Sequence, residues 1–175
     1  MSKRDLKKYL SELDKEQLQE QILELYDKFS AVKDYYDFVF NPKEDKRLQE
    51  AKLKISNEYF PIASSGKKKR AKLRRSVAQK NIKHFITLGV DPYIIVDLML
   101  FSIEIAQAYS AENTINQEAF YKSMFNSFEQ MVQFSIANGV ISEFQDRINA
   151  VFQETIEQKW KNKNDFLQII ERIDA

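Results

Sequence analysis

The chain has 175 residues, 43% hydrophobic and 13% aromatic, which is enough apolar surface for one well-buried domain and excludes a disordered chain. It has no cysteine, which excludes disulfides, thiolate metal sites and cysteine nucleophiles, and its three glycines and three prolines disfavour turn-rich β folds and glycine-rich phosphate loops. The 27 lysines and arginines nearly balance 26 acids overall but not locally: nine cations and no acid lie between Ile62 and Val90, leaving 18 cations against 26 acids elsewhere.

In chain order, Ser2 is placed to cap a first helix running to about Leu10. No apolar stretch follows the basic N-terminus, so no secretory signal is read there and a cytoplasmic location is expected. Asp14 opens a second helix through Leu18, Ile22, Leu25, Phe29 and Val32 at spacings of three and four, and the pattern continues to Phe40. This helix–turn–helix start loosely echoes small DNA-binding modules, although ordinary helix packing accounts for it as well. Asn41-Pro42 then breaks the pattern, and a third helix is expected from Pro42 to about Tyr59, with Leu48, Ala51 or Lys52, and Ile55 on one side.

Pro61 and the small residues from Ile62 to Gly66 form the clearest linker, and the basic run follows at once with poor helical periodicity. From Ser76 the helical pattern resumes through Val77, Ile82, Phe85, Ile86 and Leu88, ending at Gly89 in a C-cap position. Asp91-Pro92 starts a helix to about Ser110 that is apolar nearly all round, with Asp97 and Glu104 on one narrow stripe. Its most apolar run, Tyr93 to Ala108, contains both acids and is shorter than the roughly 20 residues of a membrane span, so a central bundle helix and no membrane partner are expected. Asn116 is placed to cap a helix running to Asn138-Gly139. Ser142 is placed to begin another through Ile148, Val151 and Ile156 toward Trp160, and Asn164 or Asp165 to cap a short terminal one.

About seven or eight helices with short connections predict an all-α protein, an irregular antiparallel helical bundle. It reads as a single domain over residues 1–175, in which an N-terminal helical region (residues 1–61) and a C-terminal helical core (residues 76–175) are joined by a basic connector (residues 62–75). The strings Ser76-Val-Ala-Gln-Lys-Asn-Ile-Lys-His-Phe-Ile-Thr-Leu-Gly-Val-Asp-Pro92 and Tyr35-Tyr-Asp-Phe-Val-Phe-Asn-Pro42 resemble an uncharacterised bacterial family of small all-helical proteins, a domain of unknown function. The resemblance covers most of the chain. It implies a bacterial cytoplasmic protein and an all-helical fold, and it brings no activity, ligand or catalytic residue to transfer.

The candidate partner-binding residues are Lys67, Lys68, Lys69, Arg70, Lys72, Arg74 and Arg75, extended by Lys80 and Lys83. Arginine forks and lysine point charges suit phosphates and carboxylates alike. No aromatic residue lies within the run, so it offers no platform for stacking single-stranded bases. Residues 91–158 hold ten acids against Lys122 and Arg147, an acidic surface to which the segment could dock in cis or in trans. Two readings stay open. One is a non-enzymatic protein-interaction or self-association module, homo-oligomeric in the latter case, in which the basic segment meets an acidic surface. The other is a sequence-independent nucleic-acid-binding protein contacting phosphates through Lys67 to Arg75.

Asp97 and Glu104 lie seven residues apart on one helix, about 10 Å along its axis. Charges on so apolar a helix are expected to be paired, with Arg74, Arg75 or Lys80, just upstream, as candidates. His84 is the only histidine, which leaves no histidine triad or zinc triad within one chain. No catalytic, cofactor-binding or metal residue is identified, and no cofactor is expected. The aromatic stripe from Phe120 to Phe134 is expected to pack in the core. Trp160, between Lys159 and Lys161, reads either as a partly exposed anchor for a partner or as a cover for the end of the bundle.

Overall fold

Ser2 and Asp5 form a capping box: the Ser2 hydroxyl accepts from the Asp5 amide at 3.2 Å and Asp5 Oδ2 accepts from the Ser2 amide at 2.8 Å. In the computed structural model, which describes residues 2–62 and 69–173, this box opens α1 (Lys3–Ser11). Asp14 and Gln17 repeat the device at the start of α2 (Lys15–Lys28). The chain then breaks where continuous periodicity predicted one long helix. Phe29 adopts an extended conformation with φ −122° and ψ 111°, and α3 (Ser30–Phe40) begins after it. Neither glycine nor proline marks this break. It is supported by contacts between the two helices, with Tyr26 and Tyr36 rings 6.5 Å apart and the Tyr26 hydroxyl 3.3 Å from Asp37.

Residues 1–43 form one compact unit and residues 44–175 a second. The division falls at Lys43/Glu44 rather than at the proline linker, because α4 (Glu44–Tyr59) packs on helices from beyond the basic segment. Those are α5 (Arg75–Leu88) and α6 (Pro92–Glu112), followed by α7 (Glu118–Ala137), a 3₁₀ turn (Ile141–Phe144), α8 (Gln145–Glu157) and α9 (Lys163–Ile173). Among the described residues there are nine α-helices and no strand, an all-α fold. The extra helix arises from the break at Phe29.

In the second unit α6 is the central helix, packed on α4, α5, α7 and α8. It is 21 residues long, so by length and composition it could cross a membrane. Within the unit its Val96, Leu98, Leu100, Ile103 and Ala106 are completely buried. Each fully buried large apolar side chain contributes about 1.5–3 kcal/mol. From α7, Phe120, Met124, Phe128, Met131 and Val132 are buried, while Tyr121, Phe125 and Phe134 are half-buried at the edge of that core. Trp160 is only 3% exposed and packs against Phe120, Tyr121 and Phe166 with ring separations of 5.7, 5.5 and 6.0 Å. It is a cover and not an exposed anchor.

Candidate functional site

The described end of the basic segment is tied to α4. The amides of Lys72 and Leu73 both donate to the Glu58 carbonyl, at 2.9 and 3.2 Å, and the chain bends there with Leu73 at φ 55°. Arg74 then grips the Glu58 carboxylate with two hydrogen bonds, both 2.8 Å long. Such forked pairs are directional as well as charged. The Arg74 guanidinium holds the Glu58 carboxyl below its ordinary range, against the opposing effect of burial.

Held in this way, α4 and α5 flank a groove of about 780 Å³. Lys54, Asn57 and Glu58 line one wall at helical spacings of three and four, and Ser76, Lys80 and His84 line the other at spacings of four. A second groove of about 620 Å³ shares Asn57 and Glu58 with it and is lined further by Lys69, Arg70 and Lys72. Among the described residues Glu58 is the one carboxylate lining either groove, and Arg74 already engages it. The side chains of Lys54 and Lys80 have no hydrogen bond or ion pair among the described residues, so the surface presents cationic charge with no free carboxylate to meet it. That chemistry suits a carboxylate- or phosphate-bearing partner.

The residues singled out from sequence divide into groups. Lys67 and Lys68 lie outside the described residues. Lys69, Arg70 and Lys72 are exposed beside the second groove, Lys80 lines the first, and Lys83 is exposed on α5. Arg75 turns inward: its Nε donates to Ser127 Oγ at 2.7 Å and its Nη2 to Gln130 Oε1 at 3.2 Å, bracing α5 against α7. Burial works against its charge and lowers its pKa. Among the described residues the segment's ion pair is to Glu58 of α4, outside the acidic stretch 91–158, while Arg75 meets that stretch through neutral groups.

Asp97 and Glu104 are paired, but Arg74, Arg75 and Lys80 are not their partners. Arg147 of α8 donates from Nη1 to Asp97 at 2.7 Å, and from Nε and Nη2 to Glu104 at 3.0 and 2.9 Å. Lys52 of α4 completes the cluster at 2.6 Å from Asp97. Proximity along the chain misled here, because α8, distant in sequence, packs against the stripe that carries both acids. Sequence reasoning also missed Lys54, Asn57, Glu58 and His84 as groove residues. The signal available was the run of polar positions at 54, 57 and 58, which flanks the α4 face carrying Leu48, Ala51 and Ile55, with Glu58 itself buried at the edge of that face. No group of three or more histidines or acids that could hold a metal ion occurs among the described residues.

A family model described as a family of unknown function (DUF6155) matches residues 1–174. Neither a curated protein nor a solved structure matches the chain.

Proposed function

The chain belongs to this family of unknown function, and on its geometry we propose that it is a binding protein rather than an enzyme, its basic groove receiving an acidic protein surface. The observation that carries this reading is the Glu58–Arg74 clamp. By fixing residues 72–74 along α4, it sets Lys69, Arg70 and Lys72 beside Lys54 and Lys80 on one donor-rich surface whose single described acid is already neutralised. The partner supplies the missing carboxylates. A bacterial, cytoplasmic setting belongs to the same proposal.

Nucleic acid is the competing partner, and salt dependence separates the two. Fluorescence anisotropy of the full chain with a labelled poly-glutamate peptide, a generic duplex and a single-stranded oligonucleotide at several salt concentrations makes the test. Peptide binding at low salt, lost in a Lys54→Glu/Lys80→Glu variant that keeps its melting temperature, is the expected result. Absence of peptide binding, or equal binding by the variant, overturns the proposal. Duplex binding whose log K falls against log salt with a slope of about −4.5, as five lysine or arginine phosphate contacts would give, assigns the groove to nucleic acid instead.

A further inference from the structure

The first unit presents a different surface. Helices α1 and α2 contain no buried residue, and Leu6, Tyr9, Ile22, Leu23 and Leu25 are between 39% and 62% exposed. This 43-residue unit buries only Phe38 among its described residues, and units near that size usually draw their stability from a metal, disulfides or association. Cysteine is absent from the whole chain, which removes the disulfide route.

The charges of the unit identify what covers this face. On α1, Leu6, Tyr9 and Leu10 share one stripe, with Lys3 and Lys7 along its edge and Arg4 and Lys8 on the far face, against the single acid Asp5. Between α1 and α2 runs a groove of about 610 Å³, lined by Tyr9, Leu13 and Leu23 and by the carboxylates of Glu20, Glu24 and Asp27, with no cation among its described lining residues. Gln21 Nε2 donates to the Tyr9 hydroxyl across it. Lys28 reaches Glu24 at 3.4 Å, an exposed pair of little energetic weight. An acidic groove with apolar walls fits a short, basic, amphipathic helix, and α1 is such a helix. Being itself a wall of the groove, α1 cannot fill it in its own chain.

We propose that the first unit is a dimerisation device, in which α1 of each copy lies in the α1–α2 groove of a second copy of this chain. The contact is isologous, so each basic helix meets an acidic groove and the assembly closes at two. It is separate from the basic groove of the second unit and does not depend on its function.

Charge reversal in halves tests it. Lys7→Glu/Lys8→Glu makes α1 acidic, and Glu20→Lys/Glu24→Lys makes the groove basic. All four side chains are exposed in the single chain, so both variants keep their helices, which circular dichroism checks. Native mass spectrometry is expected to show wild type as a dimer, each variant alone as a monomer, and an equal mixture of the two variants as a heterodimer. In that mixed pair the acidic helix meets the basic groove, and the basic helix meets the acidic one. The Lys54→Glu/Lys80→Glu variant is expected to stay dimeric. A monomeric wild type at micromolar concentration, reversed variants that remain dimeric, or a mixture that does not pair overturns the proposal. A monomer that binds vesicles containing an anionic lipid would instead give the α1 face to a membrane. Loss of the dimer in Lys54→Glu/Lys80→Glu would move self-association to the basic groove.

Discussion

Asp97 is the residue on which three helices exchange charge, since α6 supplies it and Glu104, α8 supplies Arg147 and α4 supplies Lys52. Burial alone pushes the Asp97 carboxyl up, but the hydrogen bonds from Lys52 and Arg147 outweigh it and hold the group below its ordinary value of 3.8. Burial likewise disfavours the Arg147 charge and is outweighed by Glu104 and Asp97. A carboxyl whose pKa is lower in the folded state than in the unfolded one contributes stability above the unfolded value and loses it as pH falls through the folded value. The contribution of Asp97 is therefore full at neutral pH and fades only in acid below 3.8. Asp97→Asn removes the negative charge that Lys52 and Arg147 share and one of its two acceptor oxygens, leaving Arg147 with Glu104, and is expected to cost about 1–3 kcal/mol at pH 7, less than a fully buried break because the Arg147 side chain is 37% exposed. Thermal melts of wild type and variant at pH 7 and in strong acid check this. The gap between them is expected to narrow in acid, and a gap that persists there would assign the loss to packing instead of charge.

At the scale of elements, α5 and α8 end with the same turn built from different residues. After α5, the Val90 amide returns to the Phe85 carbonyl at 3.1 Å with Gly89 at φ 76°, and after α8 the Trp160 amide returns to Thr155 at 3.1 Å with Lys159 at φ 55°. This is the Schellman geometry, which wants glycine at the left-handed position. Gly89→Ala is expected to cost about 1 kcal/mol through backbone conformation alone, since an added Cβ meets nothing within 4 Å, whereas Lys159→Gly is expected to change stability in the opposite direction by a smaller amount. Chemical denaturation of both variants measures the pair. The contrast also explains what could be read from sequence. Ser2, Asp14, Asp91-Pro92 and Gly89 announce helix ends because their local chemistry is sufficient, and those ends stand where expected. The break at Phe29 and the turn at Lys159 use residues with no such preference and are held by tertiary contacts. The groove was legible only in Lys80 and the basic segment, because the α4 wall and the Glu58–Arg74 clamp depend on pairing across 16 positions.

Across the molecule, burial is distributed unequally. Nine residues of α6 are buried, while α1 and α2 have none among the described residues and α3 has Phe38. Local stability follows buried apolar contact, so helices without a core open at little cost while a central helix opens only when the whole unit unfolds. The two compact units are therefore expected to report separately in hydrogen exchange. Measured by mass spectrometry at a dilution where the chain is monomeric, amides of α1 and α2 are expected to exchange orders of magnitude faster than those around Leu98 to Ile103, because small opening free energies multiply exchange tenfold per about 1.4 kcal/mol. At concentrations that favour the proposed dimer, protection is expected to rise in α1 and α2 and to stay unchanged in α6. That concentration dependence separates a unit stabilised by a second copy from one that is stable alone. Equal protection of α1 and α6 at high dilution would show that residues 1–43 unfold together with the core.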